Sequence, residues 1–384
     1  MSATDEERLA RIALSQIVEP GDYRIAGLAA QLGGVRLLEA FSTGEHDTPR
    51  VDASARVRRM SPADQLERAE RRGMRYVIPG DPEWPAQVEP LDEVSPLYER
   101  TGCPLGLWVR GPLSLQSAHR AVAVVGARAA TTYGDETAAG IAAEVGRSGY
   151  TVVSGAAYGI DLAAHRGALS ARTPTIAVLA CGADRIYPPR NARLFDVLAQ
   201  EGAIVSEVAP GLPPTRLRFL SRNRIIAALS RGTVVVEASV RSGAHNTATW
   251  TTRLNRPLMG VPGPVTSGAS EGVHRLIRSG AATLVTNGAE VLEMVTAAGE
   301  CLPVEAMAPA RPRDRITVRE QQVLDAVPVG RGAPIDSIAA AAGIGLLGVE
   351  AALRALKGKG LVVLAGDGWR LTPAALQPSA DAAS

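Results

Sequence analysis

Five arginines and no Asp or Glu lie in residues 210–236. Three of the arginines fall in the stretch FLSRNRIIAALSRG, residues 219–232, among apolar residues at helical spacing. Guanidinium groups donate paired hydrogen bonds to phosphate oxygens, and the free N–H groups of a helix start add a positive field. We therefore expect Arg222, Asn223 and Arg224 to stand at the beginning of a helix and to bind a polyanion.

Two glycine-rich loops are candidate phosphate-binding segments of the same site. Gly126 ends the run VAVVG, and Arg128 follows closely enough to place a guanidinium group beside a phosphate. Ser154, Gly155 and Gly159 come after the run YTVV. We expect them to offer a hydroxyl and backbone N–H groups to an anion where the next helix begins.

A third loop, EASVRSGAHNTATW, carries Glu237 near its start and then Ser242 and Gly243. Helix capping alone would explain the serine, so this loop supports a binding site only in combination with the other two loops. Asp161 and His165 are one helical turn apart, but a first-turn acid facing the helix dipole and a packed histidine explain them better than acid–base catalysis. We therefore predict binding at these loops and no catalytic residue.

Cofactor and metal patterns are not found where they would be needed. The first loop does not have GxGxxG, and neither GxxxxGK[ST] nor HExxH occurs. The five histidines do not cluster with the three cysteines, which are too far apart for a metal knuckle or a disulfide framework. We expect no cofactor and no metal.

From residue 121 onward, seven short runs rich in β-branched residues alternate with segments of helix length. The runs are AVAVVG, YTVVSG, TIAVLACG, AIVSEV, TVVVEA, PLMGVPG and ATLVTN. Such alternation predicts a doubly wound parallel α/β sheet, in which ligands bind outside the carboxyl ends of the strands. The loops and the arginine segment then share one edge and form an extended groove suited to a sugar-phosphate backbone.

Length and composition indicate several folded domains. The 384 residues exceed one domain of roughly 150 residues, and 46% hydrophobic with 21% charged residues is typical of packed proteins. No apolar run reaches the length of a membrane span, and the acidic N-terminal stretch is unlike a signal peptide. We expect a cytoplasmic protein with no membrane partner.

Smaller units flank the predicted sheet. We place a helical unit at 1–75, the core at 76–296, an Ala/Pro-rich linker at 297–314 and a third unit at 315–376. Three helix patterns and a hairpin in the last unit predict a winged helix. Its third helix is nearly uncharged at its start, so this helix is at least as well suited to contact another protein through Leu346 and Leu347 as to recognise duplex DNA.

At this point the motifs resemble those of the DNA-processing protein A family, also called DprA or Smf. Order and spacing agree over about 200 residues. The matching motifs are VGAR ending at Arg128, SGAAYGID at 154–161, RNRIIAALS at 222–230, EASVRSGAHNTA at 237–248, VPG at 261–263 and EGVHRLIRSGA at 271–281.

The resemblance implies a Rossmann-like core that binds single-stranded DNA, flanked by a SAM-like helical domain and a winged-helix domain. It also implies a homodimer, an interaction with RecA recombinase during natural transformation, and no catalytic activity. Carried over by position, the DNA-binding residues are Gly126, Arg128, Ser154, Gly155, Tyr158, Gly159, Asp161, Arg222, Asn223, Arg224, Ser242 and Gly243. Tyr158 departs from the family, which often has a basic residue there, and could stack on a base.

Two other functions remain open from the sequence. One is an enzyme acting on nucleotides or nucleoside phosphates through Glu237, although the PGGxGTxxE pattern of such enzymes is not present. The other is a ligand-sensing transcription factor that reads duplex DNA with the C-terminal unit, against which its apolar third helix argues.

Overall fold

A computed structural model of the chain describes residues 4–43, 61–296 and 316–376. The predicted linker at 297–314 lies outside these ranges. Two compact units are formed, Met1–Pro303 and Val304–Ser384.

A nine-stranded sheet organises the first unit, in the order β1-β2-β6-β5-β4-β3-β7-β8-β9. The strands are β1 Met74–Val77, β2 Leu107–Arg110, β3 Ala121–Val125, β4 Thr151–Ser154, β5 Thr175–Leu179, β6 Ala203–Ser206, β7 Gly232–Val235, β8 Leu258–Gly260 and β9 Thr283–Leu284. All seven predicted strands, β3 to β9, are present and parallel, which confirms the α/β fold class.

Two further strands were not predicted: β1 was not recognised, and β2 lies in the proline-rich stretch 78–111, which has no regular pattern. β1 and β2 pair antiparallel, and β2 pairs antiparallel with β6, so they extend one edge of the parallel sheet. Each has only four residues in a proline-rich context, which hides a strand pattern.

Helices cover both faces of the sheet. They are α1 Asp5–Ile17, α2 Tyr23–Thr43, α3 Pro62–Glu70, α4 Thr132–Arg147, α5 Ile160–Ser170, α6 Ala192–Glu201, α7 Arg216–Leu229, α8 Ala244–Arg253, α9 Glu271–Arg278 and α10 Gly288–Val295. Alternate residues of β3 enter different apolar layers: Ala123 and Val125 pack with Trp250 on one face, and Val122 and Val124 with Ile141 on the other. Burial of both faces explains the continuous apolar runs that revealed these strands.

The N-terminal helices pack within the first unit. α2 is interrupted at Gly33, whose φ of 77° suits glycine, and the next N–H, of Gly34, donates to the Glu7 carboxylate at 2.7 Å. Arg8 joins α1 to the sheet region through a two-pronged contact with Asp81 at 2.7 and 2.8 Å. Identification of this segment as a SAM-like domain stays a prediction.

The second unit contains helices α11 Val318–Ala326, α12 Ile335–Ala342 and α13 Leu346–Gly358, strands β10 Val362–Ala365 and β11 Gly368–Leu371, and the short α14 Pro373–Leu376. β10 and β11 form an antiparallel hairpin. Leu347 is 85% exposed at the start of α13. Identification of the unit as a winged helix stays a prediction.

Within the described ranges, no single helix is long and apolar enough to cross a membrane. Taken together, α12 and α13 reach the necessary length and composition, but they are bent by 104°.

Candidate functional site

A cleft of about 880 Å³ opens at the carboxyl ends of the central strands. Its walls come from the segments after β3, β4, β5, β6, β7 and β8. β3 lies between β4 and β7, so the strand order reverses here, and this is where open α/β sheets bind ligands. Seven of the twelve predicted residues line the cleft: Gly126, Arg128, Asp161, Arg222, Asn223, Ser242 and Gly243.

Two guanidinium groups lie close to one aromatic ring among the residues that line the cleft. The Arg128 guanidinium carbon lies 4.9 Å from the ring centre of Phe219, and that of Arg222 lies 5.8 Å from it. Tyr187 contributes a second ring, 5.8 Å from Phe219 at an angle of 56°. Cations beside aromatic rings are the combination that binds bases and phosphates of single-stranded nucleic acids.

Phe219 and Tyr187 were not among the predicted site residues. Phe219 stands in the quoted arginine segment, three residues before Arg222, so an aromatic residue at helical spacing from an arginine was the available signal. Tyr187 follows β5 in a stretch with two prolines, and nothing in its local pattern pointed to the cleft.

Arg222 is almost fully buried and is held in place by two backbone carbonyls. Its Nη1 donates to the carbonyls of Gly155 and Val178 at 2.7 and 2.6 Å, and its Nε has no hydrogen-bond partner among the described residues. A Cβ on Gly155 would come within 1.9 Å of Nη1, so only glycine leaves room for the guanidinium. Burial lowers the pKa of Arg222, and Arg128 lowers it further, against the opposing effect of Asp161.

The expected position of these residues at a helix start is wrong. α7 begins at Arg216, with Thr215 as its capping residue, so Arg222, Asn223 and Arg224 lie in the middle of the helix. Their backbone N–H groups are used inside the helix and are not offered to a ligand. The exposed cation of the first turn is Arg216, which lines the cleft.

Two of the five arginines are neutralised by carboxylates distant in sequence. Arg224 is completely buried and donates to both oxygens of Glu207, at 2.8 and 2.7 Å. Arg218 makes the same two-pronged contact with Glu19, at 2.9 and 2.7 Å. Arg224 does not line the cleft and is therefore a structural residue of α7 in this arrangement.

The loop from Ser154 to Asp161 already holds a carboxyl group of its own, that of Asp161. The N–H groups of Gly155 and Ala157 face the Asp161 carboxylate, where they oppose the rise in its pKa that burial causes. The net effect is a raised pKa for Asp161. The hydroxyl of Ser154 is buried and donates to the Val124 carbonyl at 2.6 Å, so it does not reach the cleft.

The remaining members of this loop stand outside the cleft lining. Gly159 has a φ of +71°, and a Cβ there would meet the backbone oxygen of Ala127 at 2.3 Å, so glycine permits the close approach of the first two loops. Tyr158 is 39% exposed beside this contact. It is available to a ligand that extends beyond the cleft.

On the opposite wall, Ser242 and Gly243 line the cleft before α8. The Ser242 hydroxyl accepts the N–H of Ala244 at 3.3 Å, so capping is part of its role. Asn223 donates to the Asn246 side-chain oxygen at 3.2 Å, which joins α7 to α8 across the cleft floor.

Of the three possible catalytic groups, Asp161 lines the cleft, whereas His165 and Glu237 are buried and hydrogen-bonded within the protein. His165 is fully buried, its Nδ1 lies 2.7 Å from the Thr175 hydroxyl, and burial lowers its pKa to about 3. Glu237 is 1% exposed and accepts the N–H and hydroxyl of Thr131 at 2.9 and 2.6 Å, at the start of α4. No group of three His, Cys, Asp or Glu residues in the described part of the chain is arranged to hold a metal.

Comparison with known proteins shows the family of the chain. The model of a family described as DNA recombination-mediator protein A matches residues 75–296. A putative DNA processing protein DprA of Mycobacterium tuberculosis is 42% identical over 363 residues, covering 93% of this chain and 92% of the relative. The DNA processing protein DprA of Streptococcus pneumoniae is 40% identical over 204 residues, covering 53% of this chain and 71% of that protein.

A solved structure gives the same architecture. The X-ray structure of DNA processing protein A from Streptococcus pneumoniae superposes with a TM-score of 0.64 at 28% identity. The match covers 77% of this chain and all of that chain.

Proposed function

Since the chain belongs to the DNA-processing protein A (DprA/Smf) family, whose model is described as a DNA recombination-mediator protein, we propose that it binds single-stranded DNA in the cleft and acts without catalysis. The observation that carries the proposal is the Phe219 ring in the cleft with the guanidinium groups of Arg128 and Arg222 close to it. A ring accepts any base by stacking, and guanidinium groups bind phosphate oxygens regardless of sequence.

Shape and charge favour a single strand over a duplex. The aromatic rings of Phe219 and Tyr187 stand inside a cleft, where only unpaired bases can reach them. We include Gly126, Ser242 and Gly243 in the proposed interface because they line the same cleft.

The loop residues Ser154, Gly155, Gly159 and Asp161 take a supporting part in this proposal, since they position Arg222 and the loop after β3. Tyr158 would contact DNA that leaves the cleft. Arg224 is not included, because it faces Glu207.

We further propose that the protein acts as a homodimer that helps RecA load onto single-stranded DNA during natural transformation, as the family resemblance implies. The open edge of β9 supports a homodimer: both of its residues are exposed, Leu284 by 47%, and an unpaired strand edge can pair with a second chain. Nucleotide chemistry is not favoured, because Glu237 is already bound at the start of α4.

Fluorescence anisotropy of a labelled oligonucleotide tests the proposal. Arg128→Ala removes one cleft cation, so we expect weaker binding and a salt slope reduced by about 0.7, the value for one phosphate on a single strand. Arg166→Ala removes an exposed arginine of α5 that does not line the cleft, and it should bind as the wild type does. Equal losses in both variants, or preference for a matched duplex, would contradict the proposal.

A further inference from the structure

Two opposite faces of α7 have different partners. The residues Arg216, Phe219 and Asn223 face the cleft, at helical spacing along one side. Arg218 and Arg224 lie on the other side, against the connector between α1 and α2, residues 18–22. The wall of the cleft is therefore a helix whose back is held by the N-terminal segment.

The contact between Glu19 and Arg218 fixes the first turn of α7. Arg218 is 8% exposed, and all of its nitrogens have a partner: Nε and Nη2 donate to Glu19, and Nη1 donates to the Pro213 carbonyl at 2.7 Å. The backbone N–H of the same residue donates to the capping hydroxyl of Thr215 at 3.2 Å. One residue thus joins the cap, the preceding loop and the connector.

A second contact lies further along the helix. Gly21 has a φ of +73°, and a Cβ at this position would come within 3.1 Å of the Arg224 Nε, so the connector backbone lies directly on that guanidinium. The connector is itself fastened to the sheet domain, because the Thr101 N–H donates to the Gly21 carbonyl at 3.0 Å. A displacement of the connector would therefore also displace α7.

We propose that Glu19 is a positioning residue for DNA binding: its ion pair with Arg218 sets the first turn of α7, and with it the places of Arg216 and Phe219 in the cleft. This inference rests on the proposed function of that cleft. Without Glu19, a nearly buried guanidinium would lose its charge partner, and the turn would shift to hydrate it.

The sign of the effect separates positioning from simple charge. Glu19→Gln removes a negative charge near a site for a polyanion, and long-range electrostatics alone would make DNA binding tighter. Positioning predicts the opposite, weaker binding. Since Arg218 does not line the cleft, the number of phosphate contacts and hence the salt slope should stay as in the wild type.

The test is an anisotropy titration of a labelled single-stranded oligonucleotide with the full chain, at two salt concentrations. We expect Glu19→Gln to bind about five-fold more weakly with an unchanged salt slope, the scale of a modest coupling between sites. Glu39→Gln is the matched control, since it removes the same charge from an exposed position on α2 and should bind as the wild type does.

A reversed pair distinguishes coupling from misfolding. Glu19→Arg with Arg218→Glu should bind DNA more tightly than either single reversal, because the ion pair is formed again. Wild-type affinity or tighter binding in Glu19→Gln, or no recovery in the reversed pair, would overturn the inference. A wild-type protein that does not bind the oligonucleotide would instead overturn the proposed function.

Discussion

Replacing Arg224 with methionine should lower the free energy of unfolding and should leave the contacts of the cleft unchanged. The side chain is 0% exposed and donates to both oxygens of Glu207 and, at 3.2 Å, to the Ser221 carbonyl. Methionine has a similar length and no charge, so the variant leaves Glu207 without its partner while it keeps most of the packing.

The magnitude follows from the burial of the pair. Removing one partner of a buried ion pair costs about 3–5 kcal/mol, because the other charge remains without compensation. The Glu207 side chain is 12% exposed and can reach some water, so we expect the lower end, about 3 kcal/mol of the free energy of unfolding. Replacing Glu207 with glutamine in the same chain should restore a large part of it, since no buried charge then remains.

Urea-induced unfolding followed by circular dichroism measures this free energy, and anisotropy at a temperature well below the unfolding transition measures DNA affinity. Arg128→Ala is the counterpart, because Arg128 is exposed and lies beside the Phe219 ring: the unfolding free energy of this variant should change by less than about 0.5 kcal/mol. An Arg224→Met variant of wild-type stability that fails to bind DNA would refute the reasoning and return Arg224 to the interface.

Three further changes test other parts of the structure. In the wild type, the unfolded chain takes up a proton on His165 below about pH 6.5, while the folded chain does so only near pH 3. The free energy of unfolding therefore decreases as the pH is lowered through this window, by up to about 1.4 kcal/mol per pH unit, and His165→Gln should reduce this dependence in urea titrations. Arg256→Met should lower the urea midpoint by the equivalent of about 3 kcal/mol, since it removes the donor to the carbonyls of Ala227 in the last turn of α7 and of Ser230 directly after it; an unchanged midpoint would contradict this capping role. Gly155→Ala should displace the Arg222 guanidinium and reduce DNA affinity in anisotropy, whereas full affinity would show that this close contact is not needed.

The parallel sheet was predictable because its strands are buried on both faces. The residues from Val122 to Val125 pack into two apolar layers, so all of them are apolar. A continuous apolar run of this short length is more typical of a buried strand than of a helix. The positions of the loops at one edge then followed from the topology alone. β1 and β2 were not predicted because the pairing of β1 with β2, and of β2 with β6, is decided by tertiary contacts and not by a local pattern.

The carboxylate partners of Arg218 and Arg224 could not be predicted from the sequence. Arg218 meets Glu19 across 199 positions, and no local pattern encodes such a pair. The carboxyl group of the second glycine-rich loop was visible as Asp161, yet its place among the N–H groups of that loop depends on how α5 begins. A cluster of cations without neighbouring acids thus contained both structural residues and cleft residues, and only burial and contacts separated them.

Photo-cross-linking tests the central claim most directly. A single-stranded oligonucleotide carrying 5-bromodeoxyuridine would be bound to the full chain and irradiated, and the attached peptides would be identified by mass spectrometry. Bases that stack in the cleft should attach to the peptides that contain Tyr187 and Phe219. Attachment confined to residues 316–376, with none to the segments that line the cleft, would contradict the account.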